Sequence, residues 1–323
     1  MKRREFITLL SSAVASWPLP ARAQQRELPL VGFLHAGEAR PNERSVATFR
    51  RGLAEAGFDV PIEYRWGYNQ PARLPKLADD LVALQPRVIL AGGSLGPALA
   101  PKRVTSTIPI VFEVIADPVT YGLVESLNRP GGNITGIAGL GLELQGKRLN
   151  LLCELAPEAK TVAFLTGTPN YISYKAQTSL MLEAGRALGV QILILECRDD
   201  RDFEQAFATM KERRAGALIV GNVPFPSRNK IVDLANDYSI PTIYPSRWAV
   251  VNGGLISYGP DARATYSQLA TQYVARILRG DKPADLPVWR LNKYELLINL
   301  KTAKTLGLTV PRTLLAAATE LIE

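Results

Sequence analysis

Residues 88–114, VILAGGSLGPALAPKRVTSTIPIVFEV, decide the fold. Val88–Gly93 is an apolar run closed by two glycines, the pattern of a strand covered on both faces of a parallel sheet. A helix is predicted around Ala98–Val104, and Ile108–Val114 is a second apolar strand. Strand, helix and strand at this spacing make a βαβ unit, and the pattern extends outward. Upstream lie a strand at Leu30–Leu34, helical spacing through Val46, Phe49, Leu53 and Ala54 closed by Gly57, a strand at Ile62–Trp66, and a helix marked by Leu74, Leu77, Ala78, Leu81 and Val82. This alternation predicts a doubly wound α/β sheet.

The alternation then restarts. Strands are predicted at Thr161–Leu165, Val190–Leu195, Ala217–Val220 and Ile240–Tyr244, with helices over 173–188, 203–213 and 230–238 between them. A third region holds GGLISYG at Gly253–Gly259, a helix at Tyr266–Leu278 and a strand at Tyr294–Ile298. The halves share an architecture without a visible sequence repeat. The fold class expected is therefore α/β, with two doubly wound parallel-sheet lobes.

Composition agrees. The chain has 323 residues, 47% hydrophobic and 21% charged, which excludes a disordered or collagen-like protein and leaves room for two domains. The first residues, MKRREFITLLSSAVASWPLPARAQQ, have the three parts of a secretory signal: Lys2, Arg3 and Arg4, then the short apolar stretch Phe6–Val14, then Ala21-Arg22-Ala23 as a small-x-small cleavage site. Arg3–Ile7 also resembles a twin-arginine (Tat) export signal, and the Sec and Tat routes both stay open. Residues 24–323 carry 34 basic and 29 acidic side chains, a net of +5, too mild to argue for nucleic acid. No later apolar segment reaches the roughly 20 residues that span a bilayer. A periplasmic protein is expected, cleaved near Ala23 and not membrane-spanning. No cysteine near the cleavage site offers a lipid anchor; Cys153 and Cys197 read as two free thiols, although an oxidising compartment would allow them to pair.

In open parallel sheets ligands bind beyond the carboxyl ends of the strands. That rule selects His35–Glu38, Gly93–Gly96 and Ile115–Val119 in the first half. In the second half it selects Thr166–Tyr171, Asn222–Pro226 and Pro245–Trp248.

DPVTYGLVESLNRPGGNITGI (Asp117–Ile137), GGLISYGPD (Gly253–Asp261), GDKPADLPV (Gly280–Val288) and NLKTAKTLGLTVP (Asn299–Pro311) together resemble the signature segments of a family of ABC-transporter substrate-binding proteins. That family includes proteins proposed to bind tryptophan and other aromatic amino acids. The resemblance covers nearly the whole mature chain. It implies a type I periplasmic binding fold with three hinge crossings, near Gly136–Leu140, Ser257–Asp261 and Leu291–Ile298. Lobe I would be 28–136 plus 262–290, and lobe II 141–256 plus 299–323. The implied partners are a small-molecule ligand and an inner-membrane ABC permease, with the protein acting as a monomer and without a cofactor. The same shell could instead report its ligand to a signalling receptor.

The candidate ligand-binding residues follow from the strand ends. Gly93 and Ser94 offer backbone N–H groups and a hydroxyl to a carboxylate, and Ser94 also reads as a helix N-cap. Asp117 offers an acceptor for an ammonium group, or a turn before Pro118. His35, the only histidine, lines the cleft or packs beneath it, and alone makes no metal site. Asn170, Tyr171 and Asn222 face it from the second half, as ligand groups or as turn and packing residues. Tyr258 lies beside a predicted crossing, as a ligand contact or as hinge packing. Gly92-Gly93-Ser94-Leu95-Gly96 matches the G-x-S-x-G elbow of serine hydrolases, but the sole histidine precedes the serine, against that fold's order; no enzyme is expected.

Overall fold

The chain builds its two sheets in turn and then returns to each. The computed structural model describes residues 28–139, 141, 144–169, 173–221 and 228–323. The expected export segment, 1–23, lies outside the described residues. The first sheet begins with β1 (Val31–His35), β2 (Ile62–Trp66), β3 (Val88–Gly92), β4 (Ile110–Val114) and β5 (Ile134–Ala138). The second takes β6 (Thr161–Thr166), β7 (Gln191–Glu196), β8 (Ala217–Val220), β9 (Thr242–Tyr244) and β10 (Ile256–Pro260). The short β11 (Trp289–Arg290) then returns to the first sheet, and β12 (Tyr294–Asn299) and β13 (Glu320–Ile322) to the second. The strand orders are β2-β1-β3-β4-β5-β11 and β7-β6-β8-β9-β10-β12-β13. Every pairing is parallel except β10 with β12. Two parallel-sheet α/β lobes result, as the alternation predicts.

Helices cover both faces of each sheet. In the first lobe α1 (Ala39–Glu55) places Phe49 and Leu53 against Val31 and Phe33, while α2 (Leu74–Val82) places Leu74, Ala78 and Leu81 against Leu34 and Ile89 on the opposite face. The third helix, α3 (Leu95–Val104), starts directly after β3. In the second lobe α4 (Leu144–Leu155) and α5 (Tyr174–Leu188) bury Leu149, Leu152 and Met181 on Phe164 and Ile219, and α6 (Asp202–Glu212) and α7 (Arg228–Asp237) bury Phe207 and Val232 on the far side with Ala163 and Leu165. A short α8 (Arg247–Val251) follows β9. The helix expected at Tyr266–Leu278 starts earlier, at Ala262, because the Asp261 carboxylate accepts the N–H groups of Arg263 (2.9 Å) and Ala264 (3.1 Å) as its N-cap. It runs to Leu278 through one π-helical stretch, Leu269–Val274, and packs on α1.

Strands occupy part of each segment expected as a crossing. Ile134–Ala138 is a strand, so the first connection begins only at Gly139; the sequence hid this strand behind Gly136, which weakens a strand pattern. Here the glycine is needed, since a Cβ at Gly136 (φ +155°) would stand 2.1 Å from the Phe112 carbonyl oxygen. Ser257–Pro260 and Tyr294–Ile298 lie within β10 and β12 and pair with each other in the second sheet. The chain therefore changes sheets at Asp261 and at Leu291–Lys293, where the Asp261 N–H donates to the Lys293 carbonyl at 3.2 Å. The helix α4 was not anticipated either. It buries Gln145 and Arg148 beside its leucines, which erases the clean apolar stripe of an amphipathic helix.

Candidate ligand-binding site

At the carboxyl end of the first sheet, β1, β3 and β4 deliver three polar groups to one place. The Gly93 N–H donates to Oε2 of Glu113 at 2.9 Å. Gly93 has φ +87°, and a Cβ there would stand 2.6 Å from Cε1 and 2.7 Å from Nε2 of His35. The glycine thus lies directly on the imidazole. His35 is buried, and its Nδ1 accepts the Gly37 N–H at 2.9 Å, so the neutral ring carries its proton on Nε2. Its ring adjoins Phe33 and Trp66, at centroid distances of 6.0 and 5.4 Å. Tyr266 of the returning helix closes the back: its hydroxyl oxygen is 2.8 Å from where a Gly92 Cβ would be. Burial raises the Tyr266 phenol well above its ordinary value, and the Glu113 carboxylate raises it further. Burial also raises the Glu113 carboxyl, against the Gly93 N–H, which lowers it.

Ser94 is the N-cap residue of α3, as its position predicts, yet its hydroxyl makes no capping hydrogen bond. It is half-buried with extended backbone, φ −173°. Of the pair Gly93 and Ser94, expected to cradle a carboxylate, Gly93 has its N–H engaged by the protein's own carboxylate, Glu113. Asp117 is exposed and turned into its own loop. Its Oδ1 accepts the Val119 N–H at 3.2 Å, and its Oδ2 accepts the Thr120 hydroxyl at 2.6 Å and the Thr120 N–H at 3.4 Å. Those hydrogen bonds, the hydroxyl's first, hold the Asp117 carboxyl below its ordinary value.

The second sheet ends over a buried polar floor. Thr166, the last residue of β6, is wholly buried, and its hydroxyl has no hydrogen-bond partner among the described residues. Beside it Ser173 Oγ accepts from Gln177 Nε2 at 2.7 Å, and Gln177 Oε1 from Gln145 Nε2 at 3.4 Å. Arg148, completely buried one turn into α4, donates from Nε to the Tyr258 carbonyl at 2.8 Å. Burial disfavours its charge and pulls its pKa down to about 9. Tyr258 itself is part of β10, with its ring 6.0 Å from that of Tyr294. Asn170, Tyr171 and Asn222 lie outside the described residues. Glu113, Tyr266, Thr166 and the Gln145–Arg148–Gln177 group escaped the sequence reading. The strand-end rule searches loops, whereas these side chains leave strands and helices just below them.

In the Gly92–Gly96 turn the left-handed residue is Gly93, whereas the elbow of serine hydrolases needs the strain at the serine.

The model of the family described as "ABC transporter substrate binding protein" matches residues 39–322. The chain belongs to the ABC transporter substrate-binding protein family. The resemblance read from Asp117–Ile137 and the later segments is thereby borne out. One relative of this substrate-binding protein is a "Tyrosine-binding protein" of Clostridioides difficile, strain R20291, 26% identical over 292 residues, covering 86% of this chain and 81% of the relative. Among solved structures, the ABC domain in complex with L-Trp from Streptococcus pneumoniae superposes with a TM-score of 0.80 at 22% identity, over 90% of this chain and all of that one. A conserved domain protein from Vibrio cholerae O1 biovar El Tor gives 0.81 at 24% identity, over 91% and 99%. At these identities the superpositions speak for the fold, which is the type I periplasmic binding fold expected. Among the described residues no helix is long and apolar enough to cross a membrane.

Proposed function

We propose that this substrate-binding protein captures an aromatic amino acid between its two lobes in the periplasm and presents it to the permease of an ABC importer. The observation that carries this reading is that a tyrosine-binding protein and an L-Trp complex stand among its relatives over four-fifths or more of each chain. The site's chemistry is compatible with it. The first lobe offers the Ser94 hydroxyl, the Glu113 carboxylate and the start of α3 above the aromatic group Phe33, Trp66 and Tyr266. We assign lobe I to residues 28–138 plus 262–290 and lobe II to 144–260 plus 294–323, with residues 1–23 as the cleaved export signal. Closure would be hinge motion about the three connections. Isothermal titration of ligand-stripped protein with the twenty amino acids tests the reading. Tyrosine or tryptophan should bind most tightly, with a smaller radius of gyration by X-ray scattering; folded protein that binds neither would sink it.

A further inference from the structure

We propose that Glu113 receives the cationic group of the ligand, the α-ammonium if the ligand is the amino acid inferred above; on that point the inference rests on the functional reading. Four observations converge on Glu113. It is next to the last residue of β4, at the carboxyl end of the first sheet. Its strand neighbours Phe112 and Val114 are completely buried, whereas Glu113 keeps part of its surface open. Its Oε2 accepts the Gly93 N–H at 2.9 Å, and among the described residues no Lys or Arg pairs with it. A mostly buried carboxylate left with one neutral donor is in an unfavourable position, and an arriving cation relieves it.

One donor of the Gly92–Ser94 loop is also already used. The donor that would otherwise turn toward a ligand carboxylate, the Gly93 N–H, points at Glu113, so this corner presents negative charge to the cleft. Beside it stand the His35 ring, on the far side of Gly93, and the Tyr266 hydroxyl, behind Gly92. Asp117, the acidic residue expected from the sequence to take the ammonium, has both carboxylate oxygens engaged by Val119 and Thr120. A ligand would then lie with its ammonium on Glu113 and its carboxylate toward Ser94 and the first turn of α3, where helix N–H groups and an uncommitted hydroxyl remain.

The test is Glu113→Gln in the full chain, since the amide oxygen still accepts from Gly93 while the charge is gone. Titration would use the twenty amino acids together with the des-amino analogues 3-(4-hydroxyphenyl)propionate and indole-3-propionate. A charge-assisted hydrogen bond is worth about 10- to 100-fold in affinity. The variant should lose that factor for the amino acid the wild type prefers and keep its affinity for the matching des-amino acid, with an unchanged melting temperature. Equal loss for both compounds would make Glu113 a positioning residue acting through Gly93 and overturn the proposal, as would no loss for either. A wild type that binds a non-aromatic amino acid, with the loss still seen in the variant, sinks the aromatic reading and keeps Glu113's role. Binding confined to ligands without a cationic group, or no binding at all, removes that role.

Discussion

Arg247 grips Glu320 at two points, Nη1 and Nη2 each 2.7 Å from a carboxylate oxygen, and so ties the start of α8 to the last strand of the chain. The same guanidinium stands 3.6 Å from Glu295, which is only 6% exposed. These two acids set different energetic stakes. Glu320 is half-exposed, and Glu320→Gln should cost under about 1 kcal/mol. Arg247→Ala removes the nearest cation from a mostly buried carboxylate and should cost about 1–3 kcal/mol. Chemical denaturation of the two variants checks the order.

Acidity should separate the two acids as well. Burial raises the Glu295 carboxyl, so its protonation becomes easier in the folded chain and stability linked to it rises as pH falls through that value. Arg247 lowers the Glu320 carboxyl, so its contribution is full above the ordinary carboxylate value and is lost as pH falls through the lower folded one. The deficit of Arg247→Ala should therefore shrink between pH 7 and pH 5. A deficit constant over that range would mean Glu295 carries no cost.

Gly93→Ala should damage both fold and site. The substitution places a methyl group 2.6 Å from the His35 ring at φ +87°, and a left-handed non-glycine residue costs on the order of 1–3 kcal/mol. Pairing it with His35→Ala removes the clash but not the backbone strain, so melting temperature should recover only in part. Full recovery would show the strain to be negligible.

Ser94 and Asp117 should behave oppositely. The Ser94 hydroxyl caps nothing, so Ser94→Ala should leave stability within about 0.5 kcal/mol while weakening ligand binding. Asp117→Ala strips three acceptor contacts from its turn and should cost about 0.5–2 kcal/mol. Its carboxyl is held low, so that contribution is present at pH 7 and disappears as pH falls through its folded value. Titration and thermal melts on the two alanine variants decide it.

Cys153 and Cys197 should stay unpaired under oxidants. On β6, Phe164 packs with the layer that Cys153 joins, and Ala163 and Leu165 with the layer holding Cys197, so a sheet separates the sulfurs. Burial raises both thiols, Cys197 to about 12, which suppresses the reactive thiolate. Intact mass after diamide treatment should show no loss of two hydrogens.

The sequence by itself determined the two α/β lobes, because apolar runs such as Val88–Gly92 and Ala217–Val220 can be satisfied only inside covered parallel sheets. It also placed Ser94 at a helix start, since capping is a local matter. It could not select Glu113, which reads as one polar residue inside IVFEV, nor link it to Gly93, His35 and Tyr266. Only strand order and the returning helix bring those four together from distant parts of the chain. Asp117 stayed open between two roles for the converse reason: its strand-end position is visible in the chain, but whether its carboxylate faces a ligand or its own turn depends on where Thr120 folds back. Apolar periodicity records burial. Which polar group meets which is decided by long-range register, and tertiary structure alone supplies that.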